Sequence, residues 1–205
     1  MIKNVIFDFG GVLYDINFAL TFDAFKHLGI PDFEQLFSQF NADPLFEDLE
    51  TGRIRPAAFY EKIRELTSQD FSNDQIKEAW NALLIGYRKP SLDFLVSLQN
   101  NYKLFLLSNT NQIHYEHFAP QLKAQTQYHN LESFFSHAYY SHEMGRRKPD
   151  TDTFEYVLRD AGIQAEETLF IDDSYTNLPN AERLGMKTHL LQPGEKVEQL
   201  DYSTF

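Results

Sequence analysis

After Met1 the chain runs Ile2-Lys3-Asn4-Val5-Ile6-Phe7-Asp8-Phe9-Gly10-Gly11. Ile2 to Phe7 is short, apolar and β-branched, and reads as a buried strand. The strand ends in an acid and two glycines, so it runs into a glycine turn with a carboxylate at its mouth. Beyond that turn the pattern changes. Phe18, Phe22 and Phe25 recur at helical spacing until Gly29-Ile30-Pro31 breaks it. Phe33, Phe37 and Phe40 repeat the pattern, and Asn41-Ala42-Asp43-Pro44 reads as a turn. Pro56 suits the first position of a helix through Leu66, and Ser72 to Ile85 reads as one more. The region from about Asp15 to Tyr87 is therefore expected to be all-helical, with no strand.

From residue 91 onward strands alternate with helices. Strands are expected at Tyr102–Leu107, near Ala138-Tyr139-Tyr140, at Thr168–Ile171 and at Lys187–Leu191, with helices between them. Gly145-Arg146-Arg147-Lys148-Pro149-Asp150 reads as a basic loop. Such alternation implies right-handed crossovers and a parallel sheet. The expected fold is α/β: a Rossmann-like parallel sheet flanked by helices, with an inserted all-helical cap. Residues 1–14 and 88–205 would form the core domain and residues 15–87 the cap. The residues from Pro193 onward carry no legible motif.

Composition narrows the function. The 205 residues hold 18 Lys and Arg against 30 Asp and Glu, a net charge of −12. An acidic surface argues against nucleic acid, whose affinity comes largely from Lys and Arg, and against anionic membranes. A small anionic substrate fits only if a metal, a lysine or helix N-termini reverse the local field. Cys is 0, which excludes disulfides, thiolate zinc sites and a cysteine nucleophile. It fits a reducing compartment, so a cytoplasmic location is expected. The first apolar run is short and broken by Asp8, unlike a signal peptide. Oligomeric state is not legible.

In open α/β sheets ligands bind at the carboxyl ends of the strands. Asp8, Ser108-Asn109 and Asp172-Asp173 all fall at such ends, and Lys148 lies on the basic loop. Each has an ordinary structural use. Asp8 can cap a turn, Ser108 can be a helix N-cap, two acids suit a helix N-terminus, and Lys148 can be plain surface. Together they form a set suited to phosphoryl transfer: a nucleophile, a hydroxyl, a cation and an acid pair that invites a hard metal such as Mg²⁺. His114 and His117 sit at i, i+3, but two ligands without a third read as chance.

Phe7-Asp8-Phe9-Gly10-Gly11-Val12-Leu13, Ser108-Asn109, Lys148-Pro149-Asp150 and Ile171-Asp172-Asp173-Ser174 with Asn177 resemble, in order, the four motifs of the haloacid dehalogenase-like (HAD) superfamily. The resemblance covers residues 1–14 and about 88–192, and the helical insertion sits where the family's cap belongs. It implies Asp8 as the nucleophile that forms an aspartyl-phosphate. It implies Mg²⁺ held by Asp8, the Gly10 carbonyl and Asp173, with Asp172 as a further or water-mediated ligand. Ser108, the Asn109 N–H and Lys148 would hold the phosphate, and the Phe9 and Gly10 N–H groups would complete the cradle. Lys148 would also offset charge on the nucleophile.

One position departs from the pattern. Most phosphatases of the superfamily carry a second Asp two residues after the nucleophile, as proton donor to the leaving oxygen. Here Gly10 stands there, as in a subgroup similar to α-glucose-1-phosphate phosphatases. Such acid help is worth roughly 10²–10⁴-fold. Gly10 therefore implies good leaving groups, another donor (Asp15, His27 and Glu47 are candidates), or a module that binds phosphate ligands or a partner protein with little turnover. The metal-independent 2-haloacid dehalogenases also lack the second Asp, but Asp172-Asp173 argues against them. The reading is a Mg²⁺-dependent hydrolase of small phosphomonoesters, sugar phosphates first.

Overall fold

In the computed structural model residues 1–30, 33–36 and 44–205 are described. The chain enters as β1 (Asn4–Phe7), turns, and leaves through a short strand, β2 (Tyr14–Ile16). Helices α1 (Phe18–His27), α2 (Phe33–Leu36), α3 (Pro44–Glu50), α4 (Pro56–Thr67) and α5 (Asn73–Asn81) follow. The chain then returns through β3 (Leu84–Tyr87), antiparallel to β2. From there strands and helices alternate: α6 (Lys89–Leu98), β4 (Lys103–Ser108), α7 (Gln112–Gln125), β5 (His137–Tyr140), α8 (Ser141–Met144), α9 (Thr151–Ala161), β6 (Thr168–Asp172), α10 (Leu178–Arg183) and β7 (Lys187–Leu190).

Five strands make one sheet in the order β5-β4-β1-β6-β7, every pair parallel. The first strand thus lies at the centre, between partners about a hundred residues or more away. Both faces are covered, as a parallel sheet requires. Val5, Phe7, Leu104, Leu106, Leu169 and Ile171 pack on the α6 and α7 side. Ile6, Phe105, Leu107 and Phe170 pack with Phe154 and Val157 of α9 on the other. This period-two alternation is the strand's own geometry. The C-terminal residues join the first cluster through Val197 and Tyr202.

The helical block between β2 and β3 has its own aromatic core. Phe25 stacks on Phe33 at 3.7 Å between centroids, Trp80 lies 5.4 Å from Phe46 and 5.0 Å from Phe59, and Ile113 of α7 joins the cluster. Local signals behave as read: Pro56 opens α4, and Ser72 and Gln75 form a reciprocal capping box on α5.

The two ends of the insertion differ from the expected all-helical reading. Ser72–Ile85 is not one helix: α5 stops at Asn81, and Leu84–Tyr87 pairs with Tyr14–Ile16. Leu83 N donates to Thr21 Oγ1 and Tyr87 N to Gln125 Oε1, so partners remote in sequence draw the chain out of helix. Tertiary pairing overrides local propensity here. Pro31, Phe37, Phe40 and the turn at Asn41-Ala42-Asp43 lie outside the described residues. Among the described residues no helix is long and apolar enough to cross a membrane.

Candidate active site

Register brings the acids together. Phe7 is level with Ile171 of β6, and Asp8 N donates to Ile171 O at 2.9 Å. Asp8 and Asp172 therefore leave neighbouring strands side by side at the carboxyl edge. Oxygens of Asp8, Asp172 and Asp173 all lie within 4.8 Å of one another. Ser108 ends β4 on the other flank of β1 and is buried.

Lys148 reaches into this acid cluster. Its Nζ lies 2.6 Å from Asp8 Oδ1 and 2.7 Å from Asp172 Oδ2, and the side chain is 1% exposed. Asp172 is held in turn by Ser174 N at 2.8 Å and Asn177 Nδ2 at 2.9 Å. Asn109 fixes the lysine's backbone: its Oδ1 accepts from Lys148 N and its Nδ2 donates to Lys148 O, both at 2.8 Å. The basic loop is thereby tied to the end of β4.

One cation facing three carboxylates leaves excess negative charge. Burial pushes Asp8 up to about 7; Lys148 opposes this, and Asp172 and Asp173 reinforce it. Burial, then Asp172, pushes Asp173 up to about 6. Burial alone would pull Lys148 down, but Asp172 and Asp8 outweigh it and hold the ammonium up to about 12. A hard divalent cation would relieve this repulsion, and a cluster of carboxylate oxygens is the donor set it prefers.

The turn after Asp8 packs tightly. Phe9 O accepts from Val12, Leu13 and Tyr14 N, while the Phe9 ring sits among Tyr14, Tyr87 and Phe118. Gly11 has φ +75°, and a Cβ there would lie 2.0 Å from Asp173 Oδ2, so only glycine lets this acid approach. Gly10 is different: a Cβ would meet only the tip of Ile16, at 3.2 Å.

The family model for haloacid dehalogenase-like hydrolases matches residues 2–185. The chain belongs to this family.

This HAD-like hydrolase is 29% identical over 199 residues to the D-ribitol-5-phosphate phosphatase of Bacteroides thetaiotaomicron, covering 97% of this chain and 96% of that protein. A HAD-family enzyme of the same organism was solved, as a point variant, in complex with magnesium and inorganic phosphate. It superposes with a TM-score of 0.88 at 35% identity, covering 100% of this chain and 98% of that one. A HAD-like hydrolase structure from Porphyromonas gingivalis gives a TM-score of 0.86 at 36% identity, covering 95% and 93%.

In this hydrolase the fold brings Asp8, Asp172, Asp173 and Lys148 into direct contact or near it. Phe9, Gly10, Ser108 and Asn109 lie at the same sheet edge. Of the three residues named as stand-in proton donors, Asp15 pairs with Arg88 at 2.6 Å, His27 Nδ1 lies 2.6 Å from Asp23 O, and Glu47 pairs with Arg53 at 2.6 Å. His114 is a packed, neutral histidine, stacked on Trp80 at 4.9 Å with Nδ1 2.8 Å from Asn81 Oδ1; burial drops its pKa to about 3. Arg88 was not foreseen. It donates to the carbonyls of Gly11 and Val12, the latter at 2.9 Å, and so braces the turn after Asp8. No local signal marks it, because its partners lie more than 70 positions away.

Proposed function

We propose that this hydrolase is a Mg²⁺-dependent phosphomonoesterase of small phosphorylated metabolites, sugar and polyol phosphates first. The observation that carries the reading is Lys148 bridging Asp8 and Asp172 within a three-carboxylate cluster at the sheet edge. Asp8, Asp173 and the Gly10 carbonyl would hold the metal, with Asp172 behind them; bound there, Mg²⁺ would neutralise phosphate charge. Lys148 takes Asp8 Oδ1, so Oδ2 attacks phosphorus. The P–O bond to the leaving group breaks, the leaving oxygen takes its proton from solvent water, and an aspartyl-phosphate forms on Asp8, which a second water hydrolyses to free Asp8 and inorganic phosphate. Ser108 Oγ, the Asn109 N–H and Lys148 would hold the phosphoryl oxygens, joined by the Phe9 and Gly10 N–H groups. Residues 15–87 would act as a cap over a core of residues 1–14 and 88–205, keeping water from the site. The relative acting on ribitol 5-phosphate supports a polyol or sugar phosphate as the substrate class.

The test is hydrolysis of an aryl phosphate, an anomeric sugar phosphate and ribitol 5-phosphate, with Mg²⁺ and with chelator. Wild type should turn over in Mg²⁺ only, and Asp8→Asn should lose at least about 10³-fold while still folding. Turnover that survives the chelator would overturn the reading and favour dehalogenase-like chemistry on carbon.

A second reading, a phosphate-ligand or partner-binding module with little turnover, rests on Gly10. No acid stands there, and Ile16 covers the space. Gly10→Asp with Ile16→Ala discriminates the two. A gain of roughly 10²-fold or more over an inert wild type favours the module; little change over an active wild type favours the phosphatase.

A further inference from the structure

The insertion touches the core close to Lys148 at two adjacent points. Glu50 closes α3, and its Oε2 lies 2.9 Å from Arg147 Nε, one residue before Lys148. Two residues on, Gly52 has φ +68°, and a Cβ there would lie 2.3 Å from the His142 carbonyl of α8. The turn between them is fixed on the insertion side by Thr51 Oγ1 donating to Glu47 O at 2.7 Å. On the core side, Arg147 O accepts from Thr153 Oγ1 at 2.8 Å and from Asp150 N at 3.1 Å. Helix α3 is thus coupled to the loop that delivers Lys148 to Asp8 and Asp172.

Glu50 and Arg147 are largely buried, at 16% and 19% side-chain exposure, yet among the described residues the facing atoms, Glu50 Oε2 and Arg147 Nε, find no well-aligned hydrogen-bond partner. Burial raises the Glu50 pKa, with Arg147 opposing. A pair of this kind contributes little net stability, because desolvation offsets attraction. It does select one arrangement: separated, both groups regain water, and together they fix where the insertion sits. Such a pair serves position more than stability.

We propose that Glu50 and Arg147 are positioning residues, a closing contact that reports the seated state of the helical insertion to Lys148. The proposal deepens the phosphatase reading and rests on it for its kinetic consequences alone.

The absence of cysteine allows a clean distance measurement. Leu66→Cys in α4 and Val96→Cys in α6, both exposed, carry spin labels on the insertion and the core. Distances are recorded with Mg²⁺ and inorganic phosphate for wild type, Glu50→Gln, Arg147→Gln and the double variant. Hydrolysis of an aryl phosphate is measured on the same unlabelled set. Each single variant should broaden the distance distribution toward longer values and lower kcat/KM by about tenfold, with kcat and KM moving together. The double variant should be no worse than the worse single, the signature of one shared interaction. Unchanged distances in both singles, or losses that simply add, would overturn the proposal. A wild type inert on the aryl phosphate would remove the phosphatase reading instead, and the distance cycle would still decide the contact.

Discussion

The sheet edge and the helical insertion are stabilised by opposite means. The insertion closes on stacked aromatic rings, Phe25 on Phe33 and Trp80 among Phe46 and Phe59. The sheet edge packs three carboxylates around one fully buried lysine. Aromatic packing gains from burial, whereas carboxylates are destabilised by it. The contrast teaches that the insertion is held by shape, while the edge stores an unbalanced charge that a bound cation would relieve.

The largest effect is expected at the edge. Lys148→Met removes the cation that bridges Asp8 and Asp172 and leaves two buried acids facing each other. It should cost about 3–5 kcal/mol in chemical denaturation and abolish turnover. A variant as stable as wild type would mean that the charge is already balanced without the lysine.

Next comes the insertion's core. Phe59 is fully buried against Trp80 and Phe46, and Phe59→Ala should cost about 3–5 kcal/mol. Hydrogen exchange should show the loss in α3 to α5 while β1, β4 and β6 stay protected. Equal deprotection of both regions would erase the division between them.

A smaller effect separates the regions by pH. The folded-state pKa of Asp8, about 7, and that of Asp173, about 6, lie above the unfolded value of about 4. In that window these two acids bind more protons in the folded chain than in the unfolded one. In chelator their contribution to stability should therefore rise as pH falls from about 7 towards about 4, against the opposite contribution of His114, which burial keeps neutral down to about 3. Mg²⁺ should flatten that slope, because the acids then hold a cation. The check is Tm against pH, with and without Mg²⁺; a metal-independent profile would detach the acids from metal binding.

The smallest effect lies at an exposed helix start. Ser72→Ala breaks the capping box with Gln75 and should cost about 1 kcal/mol with kcat unchanged. A kcat that falls with it would show that the insertion's local stability, not only its seating, limits turnover.

Much of the molecule is legible in the sequence because short-range rules write it. Val5-Ile6-Phe7 followed by Asp8 and two glycines marks a strand end, and β6 with Asp172-Asp173 repeats the device. Since strands of a parallel sheet share one direction, acids that follow them must share one edge. The aromatic spacing of the insertion, the helix start at Pro56 and the gathering of Asp8, Asp172 and Asp173 at one edge all follow from such local patterns. Tertiary structure alone decided the rest. Ser72–Ile85 gave up its last residues to β3 because β2, some 70 residues away, offered hydrogen bonds that helix propensity could not match. Asn109 turned its amide onto the Lys148 backbone, Arg88 braced the turn after Asp8, and Glu50 met Arg147. In each case the pairing depends on distance in space, which periodicity and propensity do not encode, and on burial, which sets the charge state of Asp8 only once the chain has folded around it.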